Sequence, residues 1–119
     1  MAKQILVLDP EPVVRSTITA ILQRHGYTVR STENLEQAIA AIKQSPPDLL
    51  ITNIYVPGTT GHDAAKFLKE HCPQMEVLMV TGLPDADGVR KRVNEQQYEI
   101  FPKPFKASDL TEKVKTILS

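Results

Sequence analysis

Short apolar runs of strand length alternate along this chain with longer segments that carry a helical repeat. That alternation constrains the fold more than any other feature. Ile5-Leu6-Val7-Leu8 is a compact apolar run of the buried-strand type. From Val14 the apolar positions Val14, Ile18, Ile21 and Leu22 recur at i, i+4, i+7 and i+8, which is one face of a helix. Gly26 is expected to end that helix in the C′ position, where a residue without Cβ takes the left-handed conformation at no steric cost. Tyr27-Thr28-Val29 reads as a second strand. Leu35, Ala38, Ile39 and Ile42 give a second helical face, stopped by Pro46-Pro47. Asp48 to Asn53 is a third strand, Ala64 to Cys72 a third helix ended by Pro73, and Val77 to Val80 a fourth strand. Asp85 to Gln97 is the weakest helical pattern, with few apolar positions (Val89, Val93) and an internal Gly88 that costs about 1 kcal/mol relative to Ala. Glu99-Ile100-Phe101 is a short last strand. Leu110, Val114, Ile117 and Leu118 repeat the helical face, with Ser108 as the expected N-cap and Asp109 favourable at the helix dipole.

Five strand–helix pairs in strict alternation call for a parallel sheet covered on both faces. Right-handed crossovers make such a sheet doubly wound, and the order 2-1-3-4-5 suits a chain of 119 residues. The expected architecture is therefore α/β, five parallel strands in the flavodoxin-like order flanked by five helices. No linker, repeat or low-complexity segment interrupts residues 1–119, which read as a single domain.

Composition narrows function by exclusion. Lys+Arg and Asp+Glu both number 14, so no net field favours nucleic acid or an anionic membrane. A single cysteine, Cys72, forms no intrachain disulfide and suggests no metal cluster. No run approaches the roughly 18 apolar residues of a spanning helix, and Met1-Ala2-Lys3-Gln4 leads directly into a strand without a signal-peptide core. The expected home is the cytoplasm, with no membrane contact. His25, His62 and His71 lack ligand spacing and read as surface or helix-end residues. Arg90-Lys91-Arg92 reads as a solvated helix face.

In a sheet of this order, functional groups gather beyond the carboxyl ends of the strands, beside the first and third. Four polar residues fall at those ends: Asp9, Asn53, Thr81 and Lys103. The segment Pro57-Gly58-Thr59-Thr60-Gly61 follows the third strand as a Gly-containing loop. It lacks the lysine of a nucleotide-binding P-loop.

Taken in order, Ile5 to Pro12, Pro47 to Asn53, Pro57 to Gly61, Val80-Thr81-Gly82 and Phe101-Pro102-Lys103-Pro104-Phe105 resemble the signatures of the two-component response-regulator receiver (CheY-like) domain. The resemblance covers essentially the whole chain. It implies an acid pair after the first strand that helps bind a divalent cation, and an aspartate after the third strand that accepts a phosphoryl group. It also implies a hydroxyl and a lysine that hold the transferred oxygens, at Thr81 and Lys103. Asp9 matches a cation ligand and Glu11 a further acid. Asn53 stands in place of the acceptor aspartate and Pro10 in place of the second acid. Ile100 stands where the family usually carries an aromatic switch residue.

An amide forms no acyl phosphate, and a pyrrolidine ring offers no ligand atom. The resemblance therefore implies a degenerate, pseudo-receiver variant: no catalytic residue, no metal or other cofactor, and weak or absent Mg²⁺ binding. Asp9, Pro10, Glu11, Thr81 and Lys103 would be a vestigial pocket, in which Asp9 and Lys103 form a structural ion pair. Its function would be that of a protein-interaction module in a phosphorelay, meeting a histidine kinase, an output domain or another regulator, or pairing as a homodimer. The expected interaction face is the neighbourhood of Val89, Val93, Ile100 and Leu110. Two alternatives stand beside this reading. One is a conventional Mg²⁺-dependent phospho-accepting receiver in which Asn53 is engineered. The other is a small-ligand or enzyme domain on the same scaffold, for which no Ser–His–Asp, Cys–His or flavin-phosphate pattern is visible.

Overall fold

The computed structural model of the chain describes residues 2–80 and 106–119 in full, and residues 81 and 99–102 by their backbone. Its elements run β1 (Gln4–Leu8), α1 (Pro12–Gln23), β2 (Thr28–Thr32), α2 (Leu35–Gln44) and β3 (Leu49–Asn53). They continue with β4 (Tyr55–Val56), β5 (Thr59–Thr60), α3 (Gly61–His71), β6 (Glu76–Thr81), β7 (Glu99–Pro102) and α4 (Ala107–Leu118). The helix expected over Asp85 to Gln97 lies outside the described residues.

The main sheet has five strands in the order β2-β1-β3-β6-β7, all paired in parallel. In numbering by main strands this is the 2-1-3-4-5 order expected from the alternation. Successive side chains of a strand point to opposite faces, so each apolar run feeds two cores. Leu6, Leu8, Leu50 and Met79 pack with Ala38, Ile42, Ala65 and Leu68 of α2 and α3. Ile5, Val7, Leu49, Ile51, Leu78 and Val80 pack with Ile18, Leu22, Leu110 and Val114 of α1 and α4. Every residue of β3 is buried, which is why that segment reads as an unbroken apolar run rather than an alternating one. Each large aliphatic side chain sealed in this way contributes about 1.5–3 kcal/mol over leaving it in water.

Register is pinned at the far end of the sheet by Asp48. Its N–H donates to the Gln4 carbonyl (2.7 Å), its Oδ2 accepts from the Gln4 N–H (2.7 Å), and its carbonyl accepts from the Glu76 N–H (3.0 Å). One residue thus ties together the starts of β1, β3 and β6.

Local chemistry moves several boundaries from where periodicity alone puts them. Gly26 is left-handed (φ 87°), but it lies two residues beyond the α1 cap, Arg24. The turn it makes takes the Tyr27 N–H back to the Leu22 carbonyl (3.3 Å), so β2 starts only at Thr28. Helix α3 starts at Gly61, ahead of the first apolar residue, because the Thr60 hydroxyl caps the Asp63 N–H (3.0 Å). The stretch from Pro57 to Gly61 is not a simple loop. Tyr55–Val56 and Thr59–Thr60 form a small antiparallel hairpin whose turn places Pro57 before a left-handed Gly58 (φ 79°), the type II arrangement. Ser108 does not cap α4. The cap residue is Lys106, without a side-chain bond, and Ser108 lies inside the first turn beside Asp109.

Candidate functional site at the strand ends

The sheet register brings the candidate residues to one edge. Leu8 pairs with Thr52, and Asn53 pairs with Val80. Asp9, Asn53 and Thr81 therefore emerge at neighbouring strand ends, Asp9 directly after β1 and the other two closing β3 and β6. The Thr81 backbone pairs with Pro102 of β7. Lys103 lies outside the described residues, as does the expected Asp9–Lys103 pair.

Asp9 is 1% exposed. Its N–H donates to the Thr32 carbonyl (3.1 Å), and its Oδ1 accepts from the Glu11 N–H (2.9 Å), two residues on. This local turn orders the chain through Pro10 into α1. The Asp9 carbonyl accepts from Arg15 Nη1 (2.6 Å), and Arg15 Nη2 lies 3.7 Å from Glu33. Arg15 is a strap over the β1–α1 junction that periodicity does not reveal, since its partners belong to other elements. Glu11 is exposed and occupies the α1 N-cap without a side-chain cap bond; Pro10 is half-buried.

Asn53 is 8% exposed, and both its amide oxygen and its amide nitrogen bond the adjacent backbone. Oδ1 accepts from the Ile54 N–H (3.0 Å), and Nδ2 donates to the Tyr55 carbonyl (3.1 Å). The same Ile54 N–H reaches the Val80 carbonyl (3.2 Å), and the Ile54 carbonyl accepts from the Gly61 N–H (2.6 Å). The amide therefore clips the end of β3 to the start of the hairpin, next to β6 and α3. A carboxylate in this seat keeps the acceptor role. It loses the donor and sets a negative oxygen against the Tyr55 carbonyl.

Gly61 is a requirement that sequence reading missed. A Cβ built there would overlap the backbone carbonyl oxygen of Asn53.

Among the described residues, the donors at this edge are the Asp9 carboxylate, the exposed carboxylate of Glu11 and an Asn53 amide oxygen already bonded to an N–H, with a proline between the two acids. A hard divalent cation prefers several charged oxygen ligands, and this set does not fit one. Among the described residues, no three of His, Cys, Asp and Glu cluster as metal ligands.

Other candidates fall differently. Leu110 is 0% exposed in the α1/α4 core, because its position in the first turn of α4 faces the sheet. It is therefore not part of an exposed interaction face. Ile100 lies in β7 opposite Met79, described by backbone alone. Val89, Val93 and Arg90-Lys91-Arg92 lie outside the described residues. His62 sits at the start of α3 but is buried rather than on the surface, with Nδ1 3.2 Å from Asp63 Oδ1. Cys72, the α3 cap residue, is buried against the core, and burial raises its thiol pKa.

Comparison with known proteins agrees with this geometry. The family model described as "Response regulator receiver domain" matches residues 5–115. The phosphate regulon transcriptional regulatory protein PhoB of Pseudomonas aeruginosa is 30% identical over 99% of this chain and 52% of its own length. NtrX of Azorhizobium caulinodans is 28% identical over 92% of this chain and 25% of its own length. This chain thus spans between a quarter and about half of these curated relatives. Among solved structures, NtrX from Brucella abortus superimposes with a TM-score of 0.89 at 28% identity, over 99% of this chain and 27% of that one. A CheY-like receiver domain from Methanospirillum hungatei shares the fold, with a TM-score of 0.90 at 24% identity over 99% of this chain and 94% of that one. With its sheet order, its strand-end constellation and this match over nearly its whole length, the chain belongs to the response regulator receiver domain family of two-component signalling.

Proposed function

We propose that this receiver domain signals through protein contacts alone and accepts no phosphoryl group. The observation that carries the reading is the closed Asn53 clip. The side chain at the acceptor position is an amide whose oxygen and nitrogen both bond the adjacent backbone. An amide nitrogen is not nucleophilic, and no acyl phosphate forms on it. Pro10 removes a second oxygen ligand, so Mg²⁺ binds weakly or not at all and supplies no charge neutralisation for a phosphoryl donor. Asp9 and Glu11 remain as parts of a vestigial pocket, with Asp9 held in a structural turn; Thr81 and Lys103 complete that pocket in this reading.

The partner is a protein of the same signalling pathway: a histidine kinase, an output domain, another regulator or a second copy. Relatives such as PhoB are named as transcriptional regulators, which makes an output domain one reasonable partner class. This domain itself contacts no nucleic acid or membrane, works in the cytoplasm, and performs no catalysis. Its contact face is the neighbourhood of Val89, Val93 and Ile100.

The test is titration of Mg²⁺ with beryllofluoride, a phosphoryl mimic, into ¹⁵N-labelled protein. The expected result is no shift of the amides at Asp9, Asn53, Thr81 and Lys103 at millimolar Mg²⁺. Saturable shifts at those positions, spreading to Ile100, would overturn the reading.

A further inference from the structure

β2 is an outer strand of the sheet. Its Thr28 N–H bonds the Lys3 carbonyl and its Thr32 carbonyl accepts from the Asp9 N–H, so the even-numbered residues bond β1. In a parallel strand the intervening residues turn their N–H and C=O the other way. Val29 and Ser31 therefore direct these groups outward along the edge. Natural edges are commonly guarded by an exposed lysine, a proline or a bulge. None occurs in Thr28–Thr32, and the one charged side chain, Arg30, is folded back onto the end of α2, donating to the Ala41 and Ser45 carbonyls (both 2.6 Å).

The two sides of this edge carry unmet polar chemistry. Between α1 and the edge lies a groove of about 420 Å³, lined by Arg15, Ser16, Thr19, Gln23 and Ser31 among others, with no carboxylate in its lining. Thr17, Thr111 and Thr116 each donate their hydroxyl to the carbonyl four residues back, the usual arrangement in a helix. Thr19 does not. Its Oγ1 is buried without a partner among the described residues. On the opposite side, Arg30 Nε is likewise buried without a partner, and no carboxylate pairs with that guanidinium among the described residues. Buried polar atoms without partners are uncommon, and two of them flank one short strand.

We propose that the outer edge of β2 and the groove beside α1 bind an extended segment of a partner protein by strand addition. Main-chain bonds form to Val29 and Ser31. One side chain of the segment carries a hydroxyl or amide into the groove, and the next presents a carboxylate to Arg30. Alternating side chains of an added strand point to opposite faces, which matches a hydroxyl on the α1 side and a cation on the α2 side. A rotamer change at Thr19, which costs little because helical threonine populates two wells, turns its hydroxyl into the groove. This inference does not depend on whether Asn53 blocks phosphotransfer.

The probe is an acetylated, amidated heptapeptide of alternating Thr and Asp, titrated into ¹⁵N-labelled full chain, with alternating Thr and Lys as its control. The expected result is saturable shifts at Thr19, Val29 and Ser31 with the Thr–Asp peptide, at least tenfold tighter than with the Thr–Lys peptide. Ser31→Pro deletes an outward N–H at a position where an edge strand tolerates proline, and should weaken binding about tenfold with the remaining spectrum retained. Arg30→Gln keeps amide donors and removes the charge, and should abolish the preference for Asp should Ser31→Pro fail to fold. Absence of shifts up to several millimolar, equal binding of both peptides, or shifts away from β2 would each overturn the proposal. So would concentration-dependent shifts at Val29 and Ser31 without peptide, which would identify a second copy as the occupant.

Discussion

Gly61 packs so closely on Asn53 that a Cβ at Gly61 would overlap the Asn53 carbonyl oxygen, while the Gly61 N–H bonds the Ile54 carbonyl at 2.6 Å. The start of α3 and the end of β3 therefore share one backbone junction. Since neither side of that junction is a flexible side chain, a substitution forces backbone movement. Gly61→Ala is expected to cost about 2–3 kcal/mol, near the upper range for overpacking. Gly58→Ala, where only the positive φ opposes a side chain, should cost about 1 kcal/mol. Urea unfolding of the two variants checks the difference, and equal effects would show that the close approach is relieved cheaply.

Asn53 itself is a donor as well as an acceptor, and only an amide serves both bonds. Asn53→Asp, the substitution that restores the family's acceptor residue, should destabilise the domain by about 1–3 kcal/mol at pH 7 through loss of the bond to the Tyr55 carbonyl. The amides from Tyr55 to Gly61 should shift most. Acetyl phosphate with Mg²⁺ should still leave this variant's intact mass unchanged, because Pro10 remains. An 80 Da adduct on the single variant would show that Pro10 does not matter.

Two helix starts make a matched test of capping. The Asn34 side chain accepts from the Gln37 N–H (2.9 Å) at the start of α2, so Asn34→Ala is expected to cost about 1 kcal/mol. Ser108 makes no cap in α4, and Ser108→Ala should stay within about 0.5 kcal/mol. Thermal or urea denaturation of the pair decides the point.

Burial pushes the Cys72 thiol above its usual value of 9.0. The unfolded chain ionises this thiol first, so the contribution to stability is complete below about pH 9 and is lost as pH climbs through the unfolded value towards the folded one. Alkaline unfolding curves of Cys72→Ala should therefore lack part of the decline that the parent shows as pH rises past about 9. Labelling with a disulfide reagent at pH 8 should be slower in the native than in the denatured protein by on the order of a hundredfold. Equal labelling rates would place the thiol at the surface.

Much of the fold is legible in the chain itself, because alternating buried runs and helical faces admit few arrangements. The runs Ile5–Leu8, Leu49–Asn53 and Val77–Val80 carry apolar side chains to both faces, which demands a covered parallel sheet. The faces of α1, α2 and α4 declare their own partners by spacing. The identities of Asn53 and Pro10 are likewise read directly from the chain, since the chemical groups a side chain offers are a property of residue type.

What tertiary structure alone decided are the contacts between elements distant in the chain. That Asp48 ties three strand starts, that Arg15 straps Asp9, and that Arg30 folds onto α2 depend on partners far away in sequence. His62 is buried because of what the fold brings opposite it, which its neighbours in sequence do not encode, whereas the inward face of Leu110 follows the helical spacing it shares with Val114. The need for glycine at position 61 arises only when β3 and α3 meet, because steric exclusion acts in space rather than along the chain.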